Sequence, residues 1–322
     1  MDGWFILMAI AKHECLESSE RMNNISSHRY LTMDVFSERV LQGNPLAVFP
    51  DGSGISDITM QQIAAELNLA ETVFIFPATR QDCAVSLRIF TPKRELSFAG
   101  HPTIGTSFVV LEEQFVPKGT SQFILEEKIG PVRVRVEPGV RPLIWLTTPP
   151  ITFGRLYDPD DCAKALGLNV GDLLKISPQV VSAGNETLIV AVRDKEQVDQ
   201  ALLESTGLTL LKRKDEPPLL VMVFTPTRDG AYSRVFGPEF GVREDPATGS
   251  ATGPLAEFMV QHGLVSGAAG TRFVSEQGVK MGRRSILHIQ LNGEKGVDGI
   301  EIGGYVSPVA EATMTLNDYH ED

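Results

Sequence analysis

Cysteine is scarce in this chain, and the few present stand far apart. Of 322 residues only Cys15, Cys83 and Cys162 are cysteine, and no CxxC pair or Cys/His cluster occurs. That argues against a zinc site, and a low, odd count suits a reducing compartment. The six histidines, His13, His28, His101, His262, His288 and His320, show no metal-ligand spacing. A GxSxG elbow, an HExxH helix, a P-loop and a Rossmann GxGxxG are all missing. Positive charge is in deficit: 29 Lys and Arg against 41 Asp and Glu leave a net charge of -12. Such a balance repels phosphate backbones, so nucleic-acid binding is disfavoured. A local pocket can still hold a small anion. Long apolar runs are absent too. The stretch Trp4 to Ala11 ends at Lys12 and His13, and only Asp2 precedes it. It is too short to span a bilayer and lacks the basic start of a signal peptide. Residues 1–28 read as a variable extension, and a cytoplasmic protein without membrane contact is the expectation.

What the chain does have is length for two domains and an ordinary globular balance, 42% hydrophobic and 22% charged. The expected division is 29–150 and 151–322, with the final strand free to return to the first domain. Strands are predicted at Tyr30–Phe36, Leu46–Phe49, Thr72–Phe76 and Val85–Phe90. A helix capped by Ser56 or Asp57 separates the second from the third, because Ile58, Ile63, Ala64 and Leu67 recur near helical spacing. In 131–136 the apolar residues Val132, Val134 and Val136 alternate cleanly, which predicts a strand within the paired strands of 122–147. Residues 149–185 read as turns and short helices around Pro159–Leu166 and form the best linker. Further strands follow at Glu186–Val192, Leu219–Phe224, Arg272–Val274, Ser285–Leu291 and Ile300–Ile302. Strands outnumber helices in both halves.

A repeat links the halves. Leu87-Arg88-Ile89-Phe90-Thr91-Pro92 precedes Gly100-His101-Pro102-Thr103-Ile104-Gly105, and Ser233-Arg234-Val235-Phe236-Gly237-Pro238 precedes Glu244-Asp245-Pro246-Ala247-Thr248-Gly249. Aligning the later prolines sets His101 opposite Asp245 and Gly105 opposite Gly249. Proline suits a first helical position, so Asp245 reads as an N-cap with His101 at the same point in the other half. The residues Ile104 to Leu111 have no polar face, which predicts a buried helix. Each half is then a curled sheet around a central helix. Two helix starts facing across a cleft would offer free N–H groups to a carboxylate. Pro254 is expected to kink the second helix.

Four segments, Gly43-Asn44-Pro45, Asn68-Leu69-Ala70-Glu71-Thr72, Phe98-Ala99-Gly100-His101-Pro102-Thr103 and Glu244-Asp245-Pro246-Ala247-Thr248-Gly249-Ser250-Ala251, resemble in content and order the PhzF-like isomerases of phenazine biosynthesis. The resemblance spans roughly residues 29–315. It implies an α+β, diaminopimelate epimerase-like fold of two pseudo-symmetric domains with the active site between them. It also implies a homodimer. It implies a cofactor-free isomerisation like that of trans-2,3-dihydro-3-hydroxyanthranilate, in which a glutamate takes a proton from carbon and returns it elsewhere. That role falls on Glu71. His101, Asp245 and Ser250, with backbone groups at Gly100 and Gly249, would hold a small anionic substrate or assist the proton. Asn44 is a turn residue that can also line the site. Related racemases use two cysteines, but the matching positions here hold Ala99 and Thr248, so a two-thiol mechanism is disfavoured. Two other readings stand beside this one: a non-catalytic metabolite binder of the same fold, and an epimerase or lyase using the same glutamate.

Overall fold

The valine ladder behaves as its alternation requires. In the strand Gly130–Glu137 the side chains of Val132, Val134 and Val136 are buried while Arg133 is exposed. The computed structural model describes residues 25–212, 215–293 and 299–317. The expected extension falls outside these residues up to position 24. Residues 25–28 are strand, the start of Ile25–Val35.

Both halves are built by the same sequence of strand pairings. In the first, Ile25–Val35, Asn44–Phe49, Glu71–Phe76, Val85–Phe90, Gln122–Glu127, Gly130–Glu137 and Leu143–Thr147 follow one another across the sheet. Their pairings run antiparallel, parallel, antiparallel, parallel, antiparallel, antiparallel. In the second, Gln179–Ser182, Glu186–Ala191, Leu220–Thr227, Gly230–Gly237, Arg272–Gln277, Ser285–Leu291 and Ile300–Gly304 repeat that order with the same alternation. The last strands of the two series, Leu143–Thr147 and Ile300–Gly304, pair with each other and join the halves into one sheet.

Each half also contributes a strand to the other. Thr152–Leu156, which follows the first series, pairs with Gln179–Ser182 of the second. Val306–Asn317, which follows the second series, pairs along the whole of Ile25–Val35. The region 149–185 is thus more than turns and a short helix, because it holds two strands besides Pro159–Ala165.

Two buried helices fill the sheets, Gly100–Glu112 in the first half and Gly249–Gln261 in the second. From Gly100 to Ser107 every residue of the first is buried, as its lack of a polar face required. The second is helical from end to end, through Pro254, where a kink was expected. This proline removes one donor, that which would serve the carbonyl of Ser250 in the first turn. Both helices pack into one core with residues such as Val35, Leu46, Ile144, Phe224 and Ile302. On the outer face of the first half, the helix Asp57–Leu67 covers Phe49, Phe74 and Phe90.

Candidate active site

The two central helices meet tip to tip. A Cβ placed on Gly100 would lie 3.3 Å from the Cα of Gly249 and 3.5 Å from the backbone nitrogen of Ser250. An added Cβ on either glycine would be in tight contact with the facing backbone, so the pair of glycines suits the close spacing of the tips. Ala99 and Thr248 are the N-cap residues, and neither makes a side-chain cap. The first N–H groups of a helix have no intrahelical acceptor, so both starts turn bare donors and partial positive charge to the same gap. No acidic residue occupies either first turn.

This arrangement corrects the proline alignment. Gly100 stands opposite Gly249, not Gly105 opposite Gly249. Asp245 is not an N-cap; it ends the short strand Val242–Asp245, three residues before the cap Thr248. His101 lies inside the first turn of its helix. Two matching ion pairs fix the true register. Arg88 Nε donates to Glu95 at 2.8 Å, and Arg234 Nε donates to Glu244 at 2.8 Å. Residues 95 and 244 are therefore equivalent, so Asp245 corresponds to Leu96 and His101 to Ser250.

Glu71 reaches the gap from the first position of its strand. The preceding helix is terminated by Asn68 in the left-handed conformation (φ 48°), which turns the chain into the strand. Leu46, the register partner of Glu71, follows Asn44 by two, so the Gly43-Asn44-Pro45 loop and Glu71 share one end of the sheet. His101 Nε2 comes within 3.0 Å of Glu71 Oε2; their side chains are 6% and 15% exposed. The two atoms are not aligned as a hydrogen bond, and both lack any other protein partner. Asn44 Nδ2 gives its protons to Asp245 Oδ1 at 2.8 Å and to the carbonyl of Ala247 at 3.0 Å. It also faces His101 Nδ1 at 3.4 Å. A proton on Nδ1 would confront that amide, so the neutral ring carries its proton on Nε2, toward Glu71.

Asp245 is held as an anion would be. Besides Asn44, Thr248 Oγ1 donates to its Oδ2 at 2.6 Å. Gln277 Nε2 in turn donates to Thr248 Oγ1 at 3.0 Å and to the Asp245 carbonyl at 2.7 Å, while Thr248 N–H donates to Gln277 Oε1 at 3.2 Å. Burial nevertheless pushes Asp245 up to about 6, with the Glu71 charge adding to the rise; His101, Thr248 and Asn44 pull the other way. Removing a donor must raise it further. Thr248→Val is expected to move the acid limb of the activity profile upward by about one pH unit, since a hydrogen bond to a charged group is worth 1.5–3 kcal/mol. A pH–rate profile with an unmoved acid limb would show that this hydroxyl does not tune Asp245.

The fold thus collects Asn44, Glu71, Gly100, His101, Asp245, Gly249 and Ser250 around one gap. Sequence reading missed Gln277, whose partners lie about thirty residues away, and the Thr248 hydroxyl. It also missed a clamp behind Asn44. Arg283 Nη2 donates to Asp34 Oδ1 at 2.5 Å and to the carbonyl of Gln42 at 3.1 Å, and its Nε donates to the carbonyl of Gly43 at 2.8 Å. Gly43 (φ 71°) could not be another residue, because a Cβ there would fall 2.3 Å from the carbonyl oxygen of Val35. Among the described residues no group of three or more His, Cys, Asp or Glu is arranged to hold a metal ion. Nor, among them, is any helix long and apolar enough to cross a membrane.

Comparison with known proteins agrees with this architecture. Residues 33–312 match the family model for phenazine biosynthesis-like proteins (PhzC-PhzF). The trans-2,3-dihydro-3-hydroxyanthranilate isomerase of Pseudomonas aeruginosa is 33% identical over 296 residues, covering 90% of this chain and all of that one. A PhzF-family protein of Bacillus anthracis has the same fold at a TM-score of 0.80 and 21% identity, covering 90% of this chain and all of its own. A hydroxyproline epimerase of Agrobacterium vitis superposes at a TM-score of 0.61 and 16% identity, over 91% of this chain and 93% of that one. The fold is the epimerase-like fold of two pseudo-symmetric halves.

Proposed function

The chain belongs to the phenazine biosynthesis-like (PhzC-PhzF) family, several of whose relatives are named isomerases, and from that premise we propose that it is a cofactor-independent isomerase with Glu71 as its acid/base. The observation that carries the reading is the unaligned pair of Glu71 and His101, their facing atoms buried, at the junction of two uncapped helix tips. A carboxylate of the substrate would sit on the N–H groups at Gly100, His101, Gly249 and Ser250. That places a neighbouring carbon where Glu71 can take its proton. His101, protonated on the nitrogen facing Glu71, steadies the carboxylate and can pass the proton on. Asp245, anchored by Asn44 and Thr248, confines the substrate from the second half and holds negative charge near Glu71.

The register between the halves makes the device one-sided. The strand pairings Thr72 with Phe90 and Val221 with Phe236 set Glu71 equivalent to Leu220. Asp245 corresponds to Leu96. Glu71 thus has no acid/base counterpart at the pseudo-symmetric position, and in this reading the same group that removes the proton returns it, on the same face of the substrate. Two-base inversion, as in thiol racemases, has no counterpart here.

The substrate class we assign is a small cyclic or unsaturated carboxylate similar to trans-2,3-dihydro-3-hydroxyanthranilate. We also assign the chain to the cytoplasm, on its low cysteine count, and to a homodimer, as the family resemblance implies. The test is turnover of that compound in heavy water, followed by mass spectrometry and NMR. Expected is a product of unchanged skeleton mass, with a fraction of molecules keeping the original hydrogen at the new carbon, since one base can return what it took. Loss of water from the product would make the protein a lyase. Inversion at the original carbon alone would make it an epimerase. Tight binding without exchange would make it a metabolite binder.

A further inference from the structure

The strand Gln122–Glu127 in the first half and the strand Arg272–Gln277 in the second occupy equivalent places. Ser86 pairs with Glu126 as Tyr232 pairs with Glu276. Glu127 is therefore the counterpart of Gln277. Gln277 uses both ends of its amide to hold the cap of the second helix and the backbone of Asp245. Glu127 occupies the same post behind the first helix. It is 4% exposed, and Thr103 Oγ1 donates to its Oε1 at 2.7 Å. The same hydroxyl lies 2.8 Å from the carbonyl of Ala99, the cap residue that precedes Gly100 and His101. The second oxygen, Oε2, is buried with no protein donor.

We propose that Glu127 is a positioning residue that works as a neutral carboxylic acid, holding the tip of the first helix, and with it His101, as the Gln277 amide holds the second tip and Asp245. A protonated carboxyl has the donor and acceptor pattern of a primary amide with one N–H removed. Its O–H gives the otherwise unpartnered oxygen a donor role. The equivalent of the acceptor used by Gln277, the Asp245 carbonyl, is the carbonyl of Leu96. Burial supports the neutral form, since it pushes Glu127 up to about 8 against the opposing bond from Thr103. Among the described residues no cation faces it. The adjacent charges on its own segment are engaged elsewhere, Glu126 by Thr79 and Lys128 by Glu95. The helix packed against it presents Thr103, and the partner strand presents Pro131 and Gly130 opposite Glu126 and Glu127. Above about pH 8 the carboxyl ionises behind the helix tip. The buried anion then loses its donor role and the hold on His101 loosens.

The proposal rests on the isomerase reading for its kinetic arm only. The experiment compares wild type, Glu127→Gln and Glu127→Ala as full-length chains. Turnover is followed against pH, and the imidazole of His101 is followed by NMR in histidine-labelled protein. Wild type is expected to lose activity about fivefold from pH 8 to pH 9, as the neutral fraction of a carboxyl titrating near 8 falls. Its His101 resonances should show a step near pH 8. Glu127→Gln should retain wild-type turnover at pH 7, hold it at pH 9 and lack that step. Glu127→Ala should turn over at least about tenfold more slowly at pH 7. The proposal is overturned if Glu127→Gln keeps the wild-type alkaline fall and the His101 step, or if it is as impaired as Glu127→Ala. The NMR arm needs no turnover. A chain that converts no substrate, yet loses the His101 step on Glu127→Gln, would sink the isomerase reading and leave this one standing.

Discussion

Glu71→Gln is expected to reduce turnover roughly a thousandfold and to stop exchange of substrate hydrogen with heavy water, because proton transfer by a positioned carboxylate contributes 10²–10⁴-fold. The amide has nearly the same shape as the carboxyl, and it can still face His101 Nε2 across the 3.0 Å gap. It cannot accept a proton from carbon. The substrate carboxylate would still rest on the helix tips, which the substitution leaves alone. Affinity should therefore stay within about threefold, well under 1 kcal/mol. The measurement pairs single-turnover kinetics with calorimetric binding. The thermal transition serves as a control for folding. If exchange persists at the wild-type rate, another group abstracts the proton and the assignment of Glu71 fails.

The second large effect belongs to a residue that touches no substrate. Arg283 comes from the second half, but among the described residues its side chain bonds to the first: to Asp34, Gln42 and Gly43. Asp34 is 4% exposed, and its other oxygen is taken by the N–H of Leu41 at 2.5 Å. Arg283→Ala strands that carboxylate in the interior. Breaking a buried pair costs 3–5 kcal/mol, and the 27% exposure of Arg283 argues for the lower end, about 3 kcal/mol. Urea unfolding should show it as a fall in midpoint. The Gly43-Asn44 loop also loses its fastening, so turnover should fall more than affinity. Arg283→Lys should recover little, because a lysine has no planar fork for three acceptors. A loss below about 1 kcal/mol, the range of exposed pairs, would show that the clamp is ornamental.

Much of this was legible before any coordinates. Alternation marked the strand around Val132, Val134 and Val136. The run Ile104 to Leu111, nearly all apolar or small, marked a buried helix, and four short motifs pointed to one site. The errors have local causes. Aligning Pro102 with Pro246 shifted the repeat, because Pro102 lies inside a helical turn and Pro246 lies before one. The loop between Arg234 and Glu244 is three residues longer than that between Arg88 and Glu95, and this hid the correspondence. The two Arg–Glu pairs were in the sequence as a clue. Gln277, Arg283 and Asp34 offered none. They reach their partners from strands and loops far along the chain, and nothing in their neighbours distinguishes them from ordinary polar residues. The short strand Thr152–Leu156 was equally hidden, since its residues are exposed and carry no alternation.

The reciprocal loan of strands bears on anyone who would divide this protein. A fragment stopped near residue 150 would keep Ile25–Val35 but forfeit its long neighbour Val306–Asn317, leaving a row of unpaired amides and carbonyls along the border. The complementary piece would lose Leu143–Thr147 from beside Ile300–Gly304. Bare β borders recruit other chains. Neither half is a portable module, and severed pieces should clump or seek each other out.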